Sequence, residues 1–255
     1  MKRALFGLML LAVPAWAAPG DDVYATYAKG DYEAAARAGE AAHTAAGLAM
    51  AARAVLADEG LRDTPCMDCL RRAEKLSRAA IAMDPHNAFA QLWLAGSLGY
   101  QGRIMGAVKA RLADIPNQAK TALDAALAAD PNNGYVVSAV GGWNLAVVKA
   151  GGAFLARQIF GATEAQGMTM IDRAVKLDPG NVSVRFQNGL VLADFDADKY
   201  HDRILTELRA ALSAHADTVY EKRIQERANI LLGLVTHGSQ DALTARVRKY
   251  SGWPD

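Results

Sequence analysis

Three stretches of this chain lie over one another: "AAIAMDPHNAFAQLWLAGSL" from Ala79, "AALAADPNNGYVVSAVGGWN" from Ala125 and "RAVKLDPGNVSVRFQNGLVL" from Arg173. Each reads as a helix end, an Asp-Pro, a turn closed by Asn and a new helix. Proline cannot continue the helix before it, and Asn87, Asn133 or Asn181 can cap the helix after it. Ten residues beyond Pro85, Pro131 and Pro179 stand Ala95, Gly141 and Gly189. Five residues before them stand Ala80, Ala126 and Ala174, and twelve before them Ala73, Ala119 and Gly167. Small residues therefore recur at fixed helical positions on both sides of a repeated breaker.

This pattern resembles the tetratricopeptide repeat, in which small residues at the crossing points of two antiparallel helices let the pair pack closely and proline ends the unit. "KGDYEAAARAGEAA", from Lys29 to Ala42, resembles the turn and second helix of a further unit. The resemblance implies an all-α, tetratricopeptide-like right-handed superhelix of antiparallel hairpins, with units near 22–44, 48–84, 87–130, 133–178 and 181–214. Pro85 to Pro131 is 46 residues and Pro131 to Pro179 is 48, against about 34 in the ordinary repeat. The excess falls inside the hairpins, so an extra helical segment is expected there. Residues 151–162, "GGAFLARQIFGA", fit one: Phe154, Leu155, Ile159 and Phe160 form an apolar stripe bounded by glycines. "TEAQ", Thr163 to Gln166, reads as a capping box opening the next helix.

Lengthened units with Gly141-Gly142-Trp143-Asn144 late in the first helix look like the subfamily of regulator-of-microtubule-dynamics proteins. They also look like the periplasmic tetratricopeptide component associated with tripartite substrate transporters. Beyond residue 195 the register fades into two amphipathic stretches, Asp198 to His215 and Thr218 to Gly238, and a short helix after Ser239. A repeat array needs a terminal element with one polar face, and residues 215–255 are expected to supply that cap.

The chain opens "MKRALFGLMLLAVPAWAAPG": a basic start, an apolar run from Ala4 to Val13, and small residues at Ala15 and Ala17. That reads as a secretory signal peptide over 1–17 and implies a single periplasmic domain over 18–255. An uncleaved, membrane-tethered form is the alternative. No later segment offers about 18 consecutive uncharged apolar residues, so no stable membrane insertion is expected after cleavage. Cleavage removes Lys2 and Arg3 from the 28 basic residues, leaving 26 against 27 acidic ones. That balance gives no electrostatic reason to expect nucleic acid or an anionic membrane as partner.

Residues with chemistry are few. Cys66 and Cys69 sit in "TPCMDC" at an expected helix start, with Thr64 as cap and Pro65 in the first turn. In an oxidising compartment a structural disulfide is the first expectation; a redox-active pair and an unpaired or metal-binding state are the alternatives. The five histidines lack metal-ligand spacing, and no phosphate loop or nucleophile elbow stands in a strand context. The cluster "DFDAD", Asp194 to Asp198, lacks the length and glycine of a calcium loop and reads as a solvated loop whose Asp198 caps the next helix. No catalytic residue, metal site or cofactor is expected.

The resemblance also implies where a partner would bind. It places Phe89, Leu92 and Tyr100 of one unit, Tyr135 and Ser138 of the next, and Phe186 of a third on a concave, apolar surface. Family members that clamp a peptide carboxylate carry Lys and Asn where this chain has Leu92, Ser138, Phe186, Gly96, Gly142 and Leu190. Acidic tails are therefore not the expected ligand. The function expected from these features is a non-enzymatic scaffold holding a protein or peptide of the cell envelope. The alternative is an accessory of a transport system that binds a small apolar or organic-acid ligand in the same place, which requires an enclosed pocket. Packing of the same aromatics into the core is the competing structural reading, and Trp93 and Trp143 are expected in the core.

Overall fold

The computed structural model describes residues 21–254, and the leader expected over 1–17 lies outside them. All regular structure among the described residues is helical. The first helices are α1 (Asp21–Ala28), α2 (Tyr32–Ala41), α3 (Ala45–Leu61) and α4 (Met67–Met83). The two long units follow as α5 (Ala88–Met105), α6 (Ala107–Leu112), α7 (Ile115–Ala129), α8 (Gly134–Leu155), a π-helical turn (Ala156–Phe160) and α9 (Glu164–Leu177). The chain ends in α10 (Val182–Asp196), α11 (His201–Ser213), α12 (Val219–His237) and α13 (Gln240–Tyr250).

The three repeated turns are built alike. The backbone N–H of Asp84, Asp130 and Asp178 donates to the carbonyl of Ala80, Ala126 and Ala174, closing the outgoing helix. Asn87 then accepts from the N–H of Ala90, Asn133 from Tyr135 and Val136, and Asn181 from Val184, so each incoming helix has an orphan donor satisfied. Ala80, Ala126 and Ala174 are fully buried. The helices they join form a layered array: α3, α5, α8 and α10 pack in succession, and α4, α7, α9 and α11 each pack against the first helix of their own hairpin.

Two of the helix crossings fall on residues with no side chain. A Cβ added to Gly141 would lie 3.0 Å from the Gly167 carbonyl oxygen and 3.1 Å from Ile171. Gly39 and Gly47 make the same crossing between α2 and α3, where the added Cβ would stand 2.4 Å from the facing carbonyl. Gly189 instead receives Leu208. Leu208 lies beside Glu207, which is fully buried and held by Arg185 at 3.1 Å and Arg203 at 2.7 Å, with Arg203 also on Asp172 at 2.7 Å. This ionic chain ties α9, α10 and α11 together where the repeat register fades.

The extra length of the two long units takes different forms. In one it is the separate helix α6, set off by Gly106 at φ +78°. In the other it is an extension of α8 kinked at Gly152 (φ +75°), followed by the π-helical turn that Gly161 ends at φ +68°. Of the expected apolar stripe, Phe160 packs edge-on to Trp143, while Phe154, Leu155 and Ile159 are exposed. Trp143 and Trp93 are both only partly buried. Thr163 caps α9 through the Gln166 N–H, although its own N–H goes to Asn144 and not back to a box partner.

Two expected caps differ. The helix after the cysteines begins at Met67 with Cys66 as its cap, two residues beyond Thr64, because Cys66 Sγ accepts the Cys69 N–H and Glu59 Oε1 holds the Cys66 N–H at 2.7 Å. Asp198 does not cap α11. That helix starts after Tyr200 without a side-chain cap, and Asp196 takes the Lys199 N–H.

The end of the chain does more than cover α10 and α11. Arg227 of α12 donates to the Gly60 carbonyl of α3, Val219 lies against Gly30, and Lys249 pairs with Asp63 at 3.2 Å. The last helices thus return to the first ones. Replacing Gly141 with Leu should lower stability by about 3 kcal/mol or more through overpacking, read as a fall in melting temperature. Gly233 is exposed, has open space around it and lies inside α12, so Gly233→Ala should raise stability by about 1 kcal/mol.

Candidate functional site

The six residues expected on a concave surface separate into three groups. Leu92 and Phe186 are buried between helices, and Ser138 is buried with its hydroxyl donating to Asn188 Oδ1 at 2.7 Å. Phe89 is exposed and stacks on Trp93 with ring centres 6.0 Å apart. Tyr100 and Tyr135 face the interior, where residues from outside the expected set join them. An added Cβ at Gly60 of α3 would stand 3.6 Å from the Tyr100 hydroxyl and 3.7 Å from that of Tyr220. The backbone of Gly252, at φ +77°, lies against the Tyr100 ring where no side chain fits.

Tyr27 and Tyr220 bring their ring centres within 6.5 Å, linking α1 to α12. Arg53 of α3 lays its guanidinium over the Tyr27 ring at 4.5 Å and within 5.9 Å of both Tyr24 and Trp93. Arg227 lies over the Tyr250 ring at 4.6 Å. Among the described residues no carboxylate pairs with either arginine. Tyr220 and Arg53 are each partly buried. α12 thus sets Tyr220 beside Tyr27 of α1 and Arg227 against Gly60 of α3.

The protonation of that lining follows from its surroundings. Burial pushes the Tyr27 phenol well above its ordinary value, with the Arg53 charge pulling it partly back. Burial, reinforced by the neighbouring phenols of Tyr100, Tyr27 and Tyr135, does the same to Tyr220. Both hydroxyls remain protonated donors at any physiological pH. Neutral O–H donors beside an unpaired guanidinium match a carboxylate or another small oxyanion.

Cys66 and Cys69 form a disulfide across one helical turn, with Cα atoms 5.3 Å apart. Glu59 lies close enough to both sulfurs to complete a metal-binding trio, but bonded sulfurs are not thiolate donors and one carboxylate remains. The disulfide and Glu59 instead fix the start of α4. Asp194, at the head of the acidic cluster, accepts from Lys149 at 2.9 Å.

Arg53, Tyr27, Tyr220 and Arg227 are not among the expected surface residues, because the concave positions of the repeat were carried only onto α5, α8 and α10. One signal was present: Arg53 is the sole charged residue from Ala45 to Ala57 of an alanine-rich helix. No family model matches the chain, and no curated protein matches it at a significant level. The site accordingly rests on its own geometry.

Burial raises the pKa of Glu59 above its ordinary 4.5, with the Cys66 N–H and Arg62 opposing. A carboxylic acid raised in the fold contributes stability below its unfolded pKa and loses it as pH rises through the folded value. Glu59→Gln keeps an acceptor for the Cys66 N–H without the buried charge. The variant should melt higher than wild type at pH 7, and the gap should close as pH falls toward the ordinary carboxylate range, measured by thermal denaturation against pH.

Proposed function

We propose that this chain is an exported, non-enzymatic tetratricopeptide-like protein that holds a small organic anion inside its closed array, as an accessory of a transport system. The observation that carries the reading is Arg53: an enclosed guanidinium, bedded on Tyr24, Tyr27 and Trp93, with no carboxylate among the described residues to balance it. An unpaired charge removed from water is costly, and a bound carboxylate would supply the missing partner while Tyr220, which is only partly buried, donates to its oxygens. The aromatic walls suit a ligand with an apolar body. The repeated Asp-Pro and Asn turns support the tetratricopeptide-like architecture, and the apolar leader with its Ala15 and Ala17 supports export.

An extended envelope peptide lying in an open groove is the other reading. It is less well supported because Leu92, Ser138 and Phe186 are packed away and α12 closes the array on α3.

The test is calorimetry and thermal shift against a panel of short monocarboxylates and dicarboxylates bearing apolar tails. At one hundred times Kd a true ligand should add about 2.7 kcal/mol of stability. Arg53→Met should abolish that gain while leaving the ligand-free protein as stable as wild type or more so. A panel without a single saturable shift, together with recovery of a specific peptide partner that Arg53→Met does not disturb, would overturn the reading in favour of the open-groove scaffold.

A further inference from the structure

The two insertions that lengthen the repeat units project apolar side chains into solvent. Leu112 is 83% exposed, Val108 75% and Phe154 74%, the three highest values among the exposed large hydrophobics of the described residues, and Leu155 and Ile159 are exposed beside them. In α6 only Ala110 is buried, and from Lys149 to Leu155 every residue is exposed. These are helical segments whose apolar side chains have no core to enter. The two insertions meet: the Arg111 guanidinium of α6 lies 5.1 Å over the Phe160 ring at the end of the π-helical turn.

The charge of this edge differs from that of the whole chain. Residues 106–114 and 147–162 carry Lys109, Arg111, Lys149 and Arg157 against the single carboxylate of Asp114, a net +3, whereas the full sequence stands at +1. Lys149 is held by Asp194, and Arg111 stands 3.9 Å from Asp114. The neighbouring Glu164 is taken by Lys199 and Tyr200. Lys109 and Arg157 have no carboxylate partner among the described residues. The near-neutral total thus conceals a local surface of protruding Val, Leu, Ile and Phe flanked by cations.

We propose that this edge docks the protein on the surface of an anionic lipid bilayer, with α6 and the end of α8 lying in the headgroup region. Apolar side chains that enter the acyl boundary, flanked by Lys and Arg that meet lipid phosphates, are what interfacial helices use. A second copy fits less well, because a two-fold interface sets the same patch against itself and would oppose two net +3 surfaces. The segment from Gly134 to Phe160 is long and apolar enough to cross a membrane by composition. Val136, Val137, Leu145 and Val148 are buried in the helical core, however, so only its exposed end is left for lipid. The attachment is peripheral and salt-sensitive.

Sedimentation of the full-length mature chain with vesicles of phosphatidylcholine, with and without about one-third phosphatidylglycerol, tests this. Wild type should pellet with the anionic vesicles, more weakly at high salt and hardly at all with the neutral ones. Lys109→Glu with Arg157→Glu should lower the partition coefficient at least about tenfold, and Leu112→Ser with Phe154→Ser should lower it comparably. All four side chains are exposed, so circular dichroism and melting temperature should match wild type and separate lost docking from lost folding. Absence of pelleting, or pelleting unchanged in both double variants, would overturn the proposal. So would a concentration-dependent dimer by ultracentrifugation that the serine variant dissolves, which would assign the edge to a second copy. Arg53 plays no part in this surface, so Arg53→Met should dock as wild type whatever the outcome of the anion-binding test.

Discussion

The tightest constraint on this array is a pair of helix crossings that touch backbone to backbone. Where Gly141 meets Gly167, and Gly39 meets Gly47, no Cβ separates the chains, so the hairpins are thin enough for successive first helices to lie side by side. Thin hairpins also leave little room for a conventional core inside each unit, and burial is shared across units. Ala80, Ala126 and Ala174 are fully buried for that reason: each sits at a junction that admits only a methyl group. The Asp-Pro and Asn turns then set the angle at which one hairpin hands over to the next.

Closure builds on that geometry. Because α12 reaches α3, side chains that would face solvent in an open groove face one another. Tyr27, Tyr100, Tyr135 and Tyr220 gather there with two arginines, and burial keeps the Tyr27 and Tyr220 phenols protonated. These side chains are polar at their tips and aromatic along their length. The array's two faces thus differ in kind: the inner one carries donors and unbalanced charge, and the outer edge at α6 and the end of α8 carries exposed hydrocarbon.

The parts of the fold readable from the chain were those with strict local chemistry. Pro85, Pro131 and Pro179 end helices and Asn87, Asn133 and Asn181 cap them whatever surrounds them, so the helical hairpins followed from spacing alone. Gly141 and Gly167 could be paired because the same positions recur as Ala95 and Ala119. Gly47 could not, since the first hairpin has no proline to set its register. Cys66 as a cap was hidden because it depends on Glu59, seven residues earlier. The interior site was least legible: Tyr100 and Tyr135 were found through their repeat positions, but Arg53, Tyr27 and Tyr220 become neighbours only through a closure that no local pattern encodes. The apolar stripe at Phe154 and Ile159 was visible as a stripe, while its exposure depended on how far the insertion extends past α9.

The bond from Arg227 to Gly60 spans 167 residues, and that separation has a temporal meaning. An open helical array can settle unit by unit as it leaves the ribosome, each hairpin completing its neighbour. Here Tyr27 and Gly60 stay without Tyr220 and Arg227 until α12 is made, an interval of roughly 8–30 s at ordinary rates of synthesis. The contact between the first and last helices is therefore the last in chain order to become possible.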